Sequence, residues 1–224
     1  MGATEPSAEE GLMAAVEKAR AHLEAEDAAR EKLLSLTREV VRLSRQVVFR
    51  IHDGDVEGAR KAFGQLAELV NELTAFKSTN PRLYYGGSVT GALAEYVEAS
   101  ALLSYVQGRP IPSFEELMVE PAHYLLGLAD FAGELRRLLF RHLNEGDLPS
   151  AERALRFMEV VYRALAAIAV PEALVPGLRR KVDVLRAVIE SSVRDLHHSS
   201  SSIRLERIMG SLMGKLGGGG GGLE

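Results

Sequence analysis

The apolar positions of this chain recur every three or four residues over long stretches, which is the spacing of helices that face a core. The clearest run is Leu33, Leu36, Val40, Leu43, Val47 and Ile51. No stretch alternates polar and apolar residues as a strand does, and no fixed-period repeat is present. The pattern predicts an all-α, single-domain bundle of about seven helices. The predicted helices cover residues 7–27, 28–52, 55–77, 88–107, 121–143, 150–168 and 177–197.

Turn and capping residues mark the ends of these helices. Ser113 with Glu116 forms a capping-box pattern, which predicts a short helix before Pro121. Beyond residue 197 the chain becomes first serine-rich and then glycine-rich. We therefore predict three parts: an all-α domain over 1–197, a polar linker with a short amphipathic segment over 198–216, and a Gly-rich flexible or engineered tail over 217–224.

The composition excludes several kinds of chemistry. The 224 residues include no cysteine, so disulfides, zinc–thiolate sites and thiol nucleophiles are absent. No apolar run approaches the length of a membrane span, and Glu5, Glu9 and Glu10 stand where a secretory signal carries positive charge. We expect a cytoplasmic protein without a membrane partner. The net charge of −4 means that any contact with nucleic acid must use locally concentrated basic residues.

Two of the predicted helices carry acidic residues at helical spacing. Glu95 and Glu98 lie on one helix, and Asp130 and Glu134 lie on another. Side chains three or four residues apart project from the same side, where like charges repel unless a cation lies between them or water solvates them. Periodicity alone favours solvated helix faces over a divalent metal site with oxygen ligands. Gly127 lies on the same flank as Asp130 and Glu134, where it leaves room for a neighbouring helix or a nucleotide.

A stripe of arginines follows one side of the second predicted helix. It consists of Arg38, Arg42 and Arg45. Two interpretations remain open: a solvated face paired with acids such as Glu31 and Glu39, or a track for phosphate groups. Arg137 lies one turn beyond Glu134, where it either contacts a phosphate or pairs with Glu134.

Two segments have a distinctive order of residues. The first reads Glu95-Tyr96-Val97-Glu98-Ala99, and the second reads Tyr124-Leu125-Leu126-Gly127-Leu128-Ala129-Asp130 followed by Gly133-Glu134-Leu135. Both closely resemble the translin-associated factor X (Trax) branch of the translin superfamily, as a prokaryotic or archaeal homologue. Weaker similarity extends through Gly146-Asp147, Val161-Tyr162 and Leu43-Ser44-Arg45, and the whole resemblance spans about residues 30–195. Translin lacks the paired glutamates, so their presence here points to the catalytic branch.

The resemblance implies a translin-like fold and a metal-dependent endoribonuclease that acts on single-stranded RNA, with DNA as a further candidate. It implies Mg²⁺ as the cofactor, with Mn²⁺ as a substitute, and a homo-oligomeric shell, an octamer, with or without a translin-like partner. The implied catalytic residues and metal ligands are Glu95, Glu98, Asp130 and Glu134. The implied RNA-binding residues are Arg38, Arg42, Arg45 and Arg137.

Other functions are weighed against this one. A ferritin-like di-iron site requires two Glu-x-x-His pairs, and the candidate Glu120–His123 pair contains Pro121 and has no twin. An all-α nucleoside triphosphate pyrophosphohydrolase remains an alternative, because that class also holds magnesium with a Glu-x-x-Glu pair. A non-catalytic, translin-like protein that binds single-stranded RNA or DNA is the other alternative.

Overall fold

The fold is all-α, as the apolar pattern predicts. The computed structural model describes residues 7–217, and within that range side chains 202–208 and 210–217 are left undescribed. This part of the chain forms seven helices and no strand. They are α1 (Ala8–His52), α2 (Val56–Thr79), α3 (Pro81–Tyr84), α4 (Gly87–Val106), α5 (Pro121–Asn144), α6 (Leu148–Ala166) and α7 (Leu178–Gly217).

The same turn chemistry joins α1 to α2 and α5 to α6. In each turn a glycine adopts a left-handed conformation, Gly54 at φ 85° and Gly146 at φ 74°, which glycine does without steric cost. An aspartate follows and caps the next helix. The Asp55 carboxylate accepts a hydrogen bond from the Gly58 backbone N–H at 2.8 Å, and the Asp147 carboxylate accepts one from Ser150 at 3.1 Å. These turns fold the chain into two antiparallel hairpins.

Helix α4 lies at the centre of the bundle. It packs most extensively on α1 and α5, while α2 flanks α1, and α6 and α7 flank α5. The predicted core positions of α4 are all buried: Val89, Leu93, Tyr96, Ser100 and Leu103. Residues on its other sides are buried as well: Val97, Ala99 and Leu102. The sequence of α4 contains no charged residue other than Glu95 and Glu98. Two glutamates on a helix this buried lose much of their hydration, which a solvated face would keep.

Three predicted elements differ from the structure. Residues 7–27 and 28–52 belong to one continuous helix, α1. The Ser113–Glu116 capping box forms both of its hydrogen bonds, but the residues after it make turns instead of a helix. Helix α7 continues through the segment expected to be a polar linker, and within it the Ser200 and Ser201 hydroxyls donate to the His197 carbonyl oxygen.

The Gly-rich tail is predicted over 217–224; Gly217 ends α7, and residues 218–224 lie outside the described residues. The three-part division of the chain stays a prediction. Within residues 7–217, none of the helices combines the length and the apolar character that crossing a membrane requires.

Candidate functional site

The crossing of α4 and α5 brings together the four acidic residues singled out in the sequence. The two helices approach closely at Gly127, where an added Cβ would lie 2.5 Å from the Ala94 carbonyl oxygen and 2.6 Å from the Val97 Cβ. This contact confirms the expectation that Gly127 admits a neighbouring helix. It places Glu95, Glu98, Asp130 and Glu134, hereafter the four carboxylates, around one cavity of about 550 Å³. Helix α7 closes the other side of this cavity with Lys181 and Val184.

Glu98 lies in the middle of this group. Its side chain is half-buried, and it has neither a hydrogen bond nor an ion pair with any described residue. Burial, followed by the negative charges of Asp130, Glu134 and Glu95, raises the pKa of the Glu98 carboxyl from 4.5 to about 8. At neutral pH this carboxyl therefore holds a proton unless a further positive charge reaches it.

The three other carboxylates each contact a basic side chain from another helix. Arg45 of α1 binds Glu95 through two parallel hydrogen bonds of 2.8 and 3.1 Å. The His52 ring nitrogen Nε2, at the end of α1, lies 2.5 Å from a Glu134 oxygen. Lys181 of α7 pairs with Asp130. Protein side chains thus supply positive charge to this acidic site.

The donor set of the site suits a hard divalent cation, because all four groups are carboxylates. Their arrangement in the structure is open. Among residues 7–217, no group of three or more histidine, aspartate or glutamate side chains lies in a geometry that holds a metal ion. The four carboxylates therefore match the chemistry of a magnesium site, and three of them contact basic side chains of the protein.

A second cavity, of about 440 Å³, lies on the other side of Glu95, Glu98 and Glu134. Its wall also contains Ser44, Arg45, Val48, Phe49 and Arg137. Phe49 is 63% exposed, although its half of α1 packs against the core. This cavity therefore combines an exposed ring and two arginines with the acidic residues.

The predicted arginines separate into two groups. Arg45 and Arg137 line the second cavity. Arg45 pairs with Glu95, and Arg137 lies 3.7 Å from Glu134. Arg42 pairs with Glu39 on its own helix, as the solvated-face interpretation expects. Arg38 is exposed and lines neither cavity. The three arginines therefore share one face of α1, and among them only Arg45 contacts one of the four carboxylates.

Sequence reasoning missed three residues of this site: Phe49, His52 and Lys181. A signal existed for the first two, because Arg45, Phe49 and His52 follow the i, i+4, i+7 spacing of a single helix face. Lys181 reaches Asp130 only because α7 packs on α5, and no spacing along the chain indicates that contact.

The chain is similar to known proteins in sequence and in fold. The model of the Translin family matches residues 28–192. Uncharacterized protein MJ0175 of Methanocaldococcus jannaschii is 32% identical over 177 residues, which are 78% of each chain. Translin-associated protein X of Rattus norvegicus is 24% identical over 179 residues, which cover 59% of this chain and 59% of the rat protein.

A solved structure of AfC3PO in complex with duplex RNA has a similar fold. It superposes with a TM-score of 0.76 at 38% sequence identity, over 84% of this chain and 97% of that one. The family model covers more than half of the chain, and MJ0175 matches at more than 30% identity over more than two thirds of it. The resemblance inferred from the two acidic segments is confirmed, and the chain belongs to the Translin family.

Proposed function

We propose that this protein is a Mg²⁺-dependent endoribonuclease that cleaves single-stranded RNA, and that Mn²⁺ can replace Mg²⁺. One observation carries the proposal. Four carboxylates from α4 and α5 converge on one cavity, and the central one, Glu98, has no partner among the described residues. Such an arrangement destabilises the fold when no cation is bound, so its presence is better explained by catalysis than by packing.

The four carboxylates are the residues that would hold the metal. A bound Mg²⁺ would lower the pKa of a water molecule and offset negative charge on the scissile phosphate. His52 fixes the orientation of Glu134, and Arg45 fixes that of Glu95. Arg45 and Arg137 also supply the positive charge that lets an RNA phosphate approach an acidic site in an acidic protein.

The second cavity offers a surface for the RNA strand. Phe49 exposes its ring beside the Arg45 and Arg137 guanidinium groups. Nucleobases stack on exposed aromatic rings regardless of sequence, while arginine binds the intervening phosphates. These features support RNA as the substrate, with single-stranded DNA as a further ligand. The related AfC3PO was solved with duplex RNA, so the preference for single strands is part of the proposal.

The proposal includes assembly into a homo-oligomeric shell, an octamer, as family members form, with a translin-like partner as the alternative. The first half of α1 carries a stripe of exposed apolar residues, and such surfaces are typical of contacts between subunits. They are Leu12, Met13, Val16 and Leu23.

A second candidate function is a binding protein that does not cleave. One observation favours it: basic side chains of the protein already contact three of the four carboxylates, and no described group has metal-binding geometry. In that case Arg45, His52 and Lys181 would be permanent partners. Nucleoside triphosphate pyrophosphohydrolase activity loses support, because the chain belongs to the Translin family.

A single set of incubations separates these functions. The protein is mixed with single-stranded RNA, duplex RNA, single-stranded DNA or deoxynucleoside triphosphates, in Mg²⁺, Mn²⁺ or EDTA. We expect metal-dependent shortening of single-stranded RNA and no release of pyrophosphate. Binding without shortening in either metal would favour the non-catalytic function, and release of pyrophosphate would favour the other enzyme class.

The arginine stripe is tested by replacing Arg38, Arg42 and Arg45 together with Gln. We expect weaker binding of all RNA sequences. The slope of log affinity against log salt concentration should become less steep by about 0.7 for each phosphate that the protein no longer neutralises. The matched control replaces Arg60, Arg163 and Arg179, which are exposed, pair with nearby acids and line neither cavity at the four carboxylates. Equal salt slopes for the two triple variants would show that the stripe is only a solvated face.

A further inference from the structure

A third cavity lies away from the four carboxylates, between the α1–α2 turn, the ends of α4 and α5, and the face of α6. Its volume is about 770 Å³, within the range of small-molecule sites. It shares no lining residue with the two cavities described above. We call it the basic cavity, because Arg141, Arg153 and Arg156 line it and none of the described residues in its wall is acidic. Three positive charges in one wall are notable in a chain of net charge −4.

Contacts with the backbone hold the Arg141 guanidinium in place. The Arg141 Nη1 donates to the backbone carbonyls of Ile51 and His52, at 3.3 and 3.2 Å, and so ties the end of α1 to α5. This fixes the guanidinium at the cavity wall, which lowers the entropy cost of binding an anion. Its Nε is buried without a hydrogen bond and lies 3.7 Å from a Glu145 carboxylate oxygen.

The neighbouring His142 adds a second unsatisfied polar atom. Its Nδ1 is buried without a hydrogen bond, and the nearest carboxylates, on Glu145 and Asp147, are 3.6 and 3.9 Å away. Buried polar atoms normally find hydrogen-bond partners, and these two, in residues that line one cavity, lie near the Glu145 carboxylate without a hydrogen bond to it.

The outer cations lie on one face of α6 at the cavity rim. The Arg153 Nη2 donates to the Ser150 hydroxyl at 2.6 Å, and Arg156 lies 3.6 Å from Glu152. Both side chains are exposed, so they can turn towards a bound anion without a change in the helix backbone.

An apolar and aromatic wall stands beside these charges. The rings of Tyr105 and Phe157 pack with their centroids 5.1 Å apart, and Val160 at the rim is 48% exposed. A cationic wall next to a flat apolar wall matches a ligand that joins a phosphate to a planar ring.

We propose that the basic cavity binds a nucleoside monophosphate group. The phosphate contacts Arg141, Arg153 and Arg156, and the base lies against the wall formed by Tyr105, Phe157 and Val160. Two sources share this chemistry: a free mononucleotide, and the terminal nucleotide of an RNA strand. The second source rests on the proposed function, whereas the site itself involves none of the four carboxylates.

The test uses calorimetry on the full chain in EDTA, with adenosine 5′-monophosphate, ribose 5-phosphate and adenosine as probes. We expect the monophosphate to bind at least tenfold more tightly than either fragment. Replacing Arg153 and Arg156 together with Gln should weaken its binding at least tenfold. The matched control, Arg60→Gln with Arg163→Gln, removes the same charge outside the cavity and should change binding less than twofold.

A second variant keeps the test valid if the arginine variant folds poorly. Val160→Glu places a negative charge at an exposed rim position without disturbing the core, and it should also abolish binding. An RNA trinucleotide with a 5′-phosphate, compared with its 5′-hydroxyl form, separates the two sources. Tighter binding of the phosphorylated trinucleotide than of the monophosphate identifies the strand end, and the reverse identifies the free nucleotide.

The result that would overturn the proposal is absence of monophosphate binding at millimolar concentration, or binding that both cavity variants leave unchanged. Equal affinity for ribose 5-phosphate would remove the nucleotide assignment. Failure of the proposed ribonuclease activity is a separate outcome. Glu98 lies outside the basic cavity, so Glu98→Gln should leave the binding of adenosine 5′-monophosphate in EDTA unchanged. This holds even if no variant cleaves RNA.

Discussion

Replacing Glu98 with Gln is expected to abolish Mg²⁺- and Mn²⁺-dependent RNA cleavage, and Asp130→Asn should do the same. Each substitution keeps the size of the side chain and removes one negative charge from the candidate metal shell. We expect a loss of about a thousandfold, or about 4 kcal/mol in transition-state stabilisation. RNA binding should survive, because the arginines proposed to contact phosphate are unchanged. Cleavage rates and RNA affinity, measured on the same preparations, check this prediction.

The matched control is Glu68→Gln on α2. Glu68 is exposed and lines none of the cavities described here, so its substitution should leave cleavage unchanged. Retained cleavage in both Glu98→Gln and Asp130→Asn would contradict the assignment and would point to a contaminating nuclease.

The same Glu98 substitution has an expected effect on stability. The pKa of Glu98 in the fold, about 8, lies above the 4.5 expected for the unfolded chain. The folded state therefore binds the proton more tightly, and the free energy of unfolding falls as pH rises from about 4.5 to about 8. Gln carries no charge, so Glu98→Gln should flatten this dependence and stabilise the metal-free protein by about 1–3 kcal/mol at pH 8. Urea unfolding in EDTA at pH 5, 6.5 and 8 checks it, and parallel curves for parent and variant would contradict it.

The second large effect is expected at Gly127. An added methyl group would lie 2.5 Å from a backbone oxygen of α4, and backbone cannot move aside as a flexible side chain can. Gly127→Ala should therefore force α4 and α5 apart and lower the free energy of unfolding by about 2–4 kcal/mol. Cleavage should fall as well, because the same crossing holds Glu95 and Glu98 beside Asp130.

Gly133 on the same helix provides the control. A Cβ added there meets nothing within 4 Å, so Gly133→Ala should stabilise the helix by about 0.5–1 kcal/mol. Chemical unfolding of the two variants gives the comparison directly. Equal stability of the two alanine variants would show that the α4–α5 crossing is looser than the structure indicates.

Much of the fold could be predicted from the sequence, because the apolar spacing that defines each helix is local. The apolar stripe from Leu33 to Ile51 packs into the core, and Gly54 and Gly146 form turns between helices. The last main helix was expected to end near residue 197, whereas α7 continues to Gly217. Serine usually competes with the helix backbone, yet here its hydroxyls bond back to the preceding helical turn.

The candidate site was predictable only in part. Residue order identified the four carboxylates, and helical spacing showed which pairs share a side. The helical wheel of α4 suggested that Glu98 is solvated, whereas the structure half-buries it, since α4 packs against neighbours on several sides. The cations that face the carboxylates come from α1 and α7, so their contacts depend on tertiary packing.

The partners of the four carboxylates define the question that matters most for function. Lys181 pairs with Asp130, and His52 contacts Glu134 in the structure. A divalent ion with oxygen ligands must compete with these side chains for the same oxygens. The central claim is therefore that the four carboxylates bind a divalent cation in preference to their protein partners.

Titration with Mn²⁺, followed by electron paramagnetic resonance of the free ion, measures this competition directly. We expect the parent protein to bind Mn²⁺ and Mg²⁺ to displace it. Glu98→Gln and Asp130→Asn should each weaken Mn²⁺ binding at least tenfold, while Glu68→Gln leaves it unchanged. Absence of binding at millimolar Mn²⁺, or equal binding by the parent and both carboxylate variants, would contradict the account.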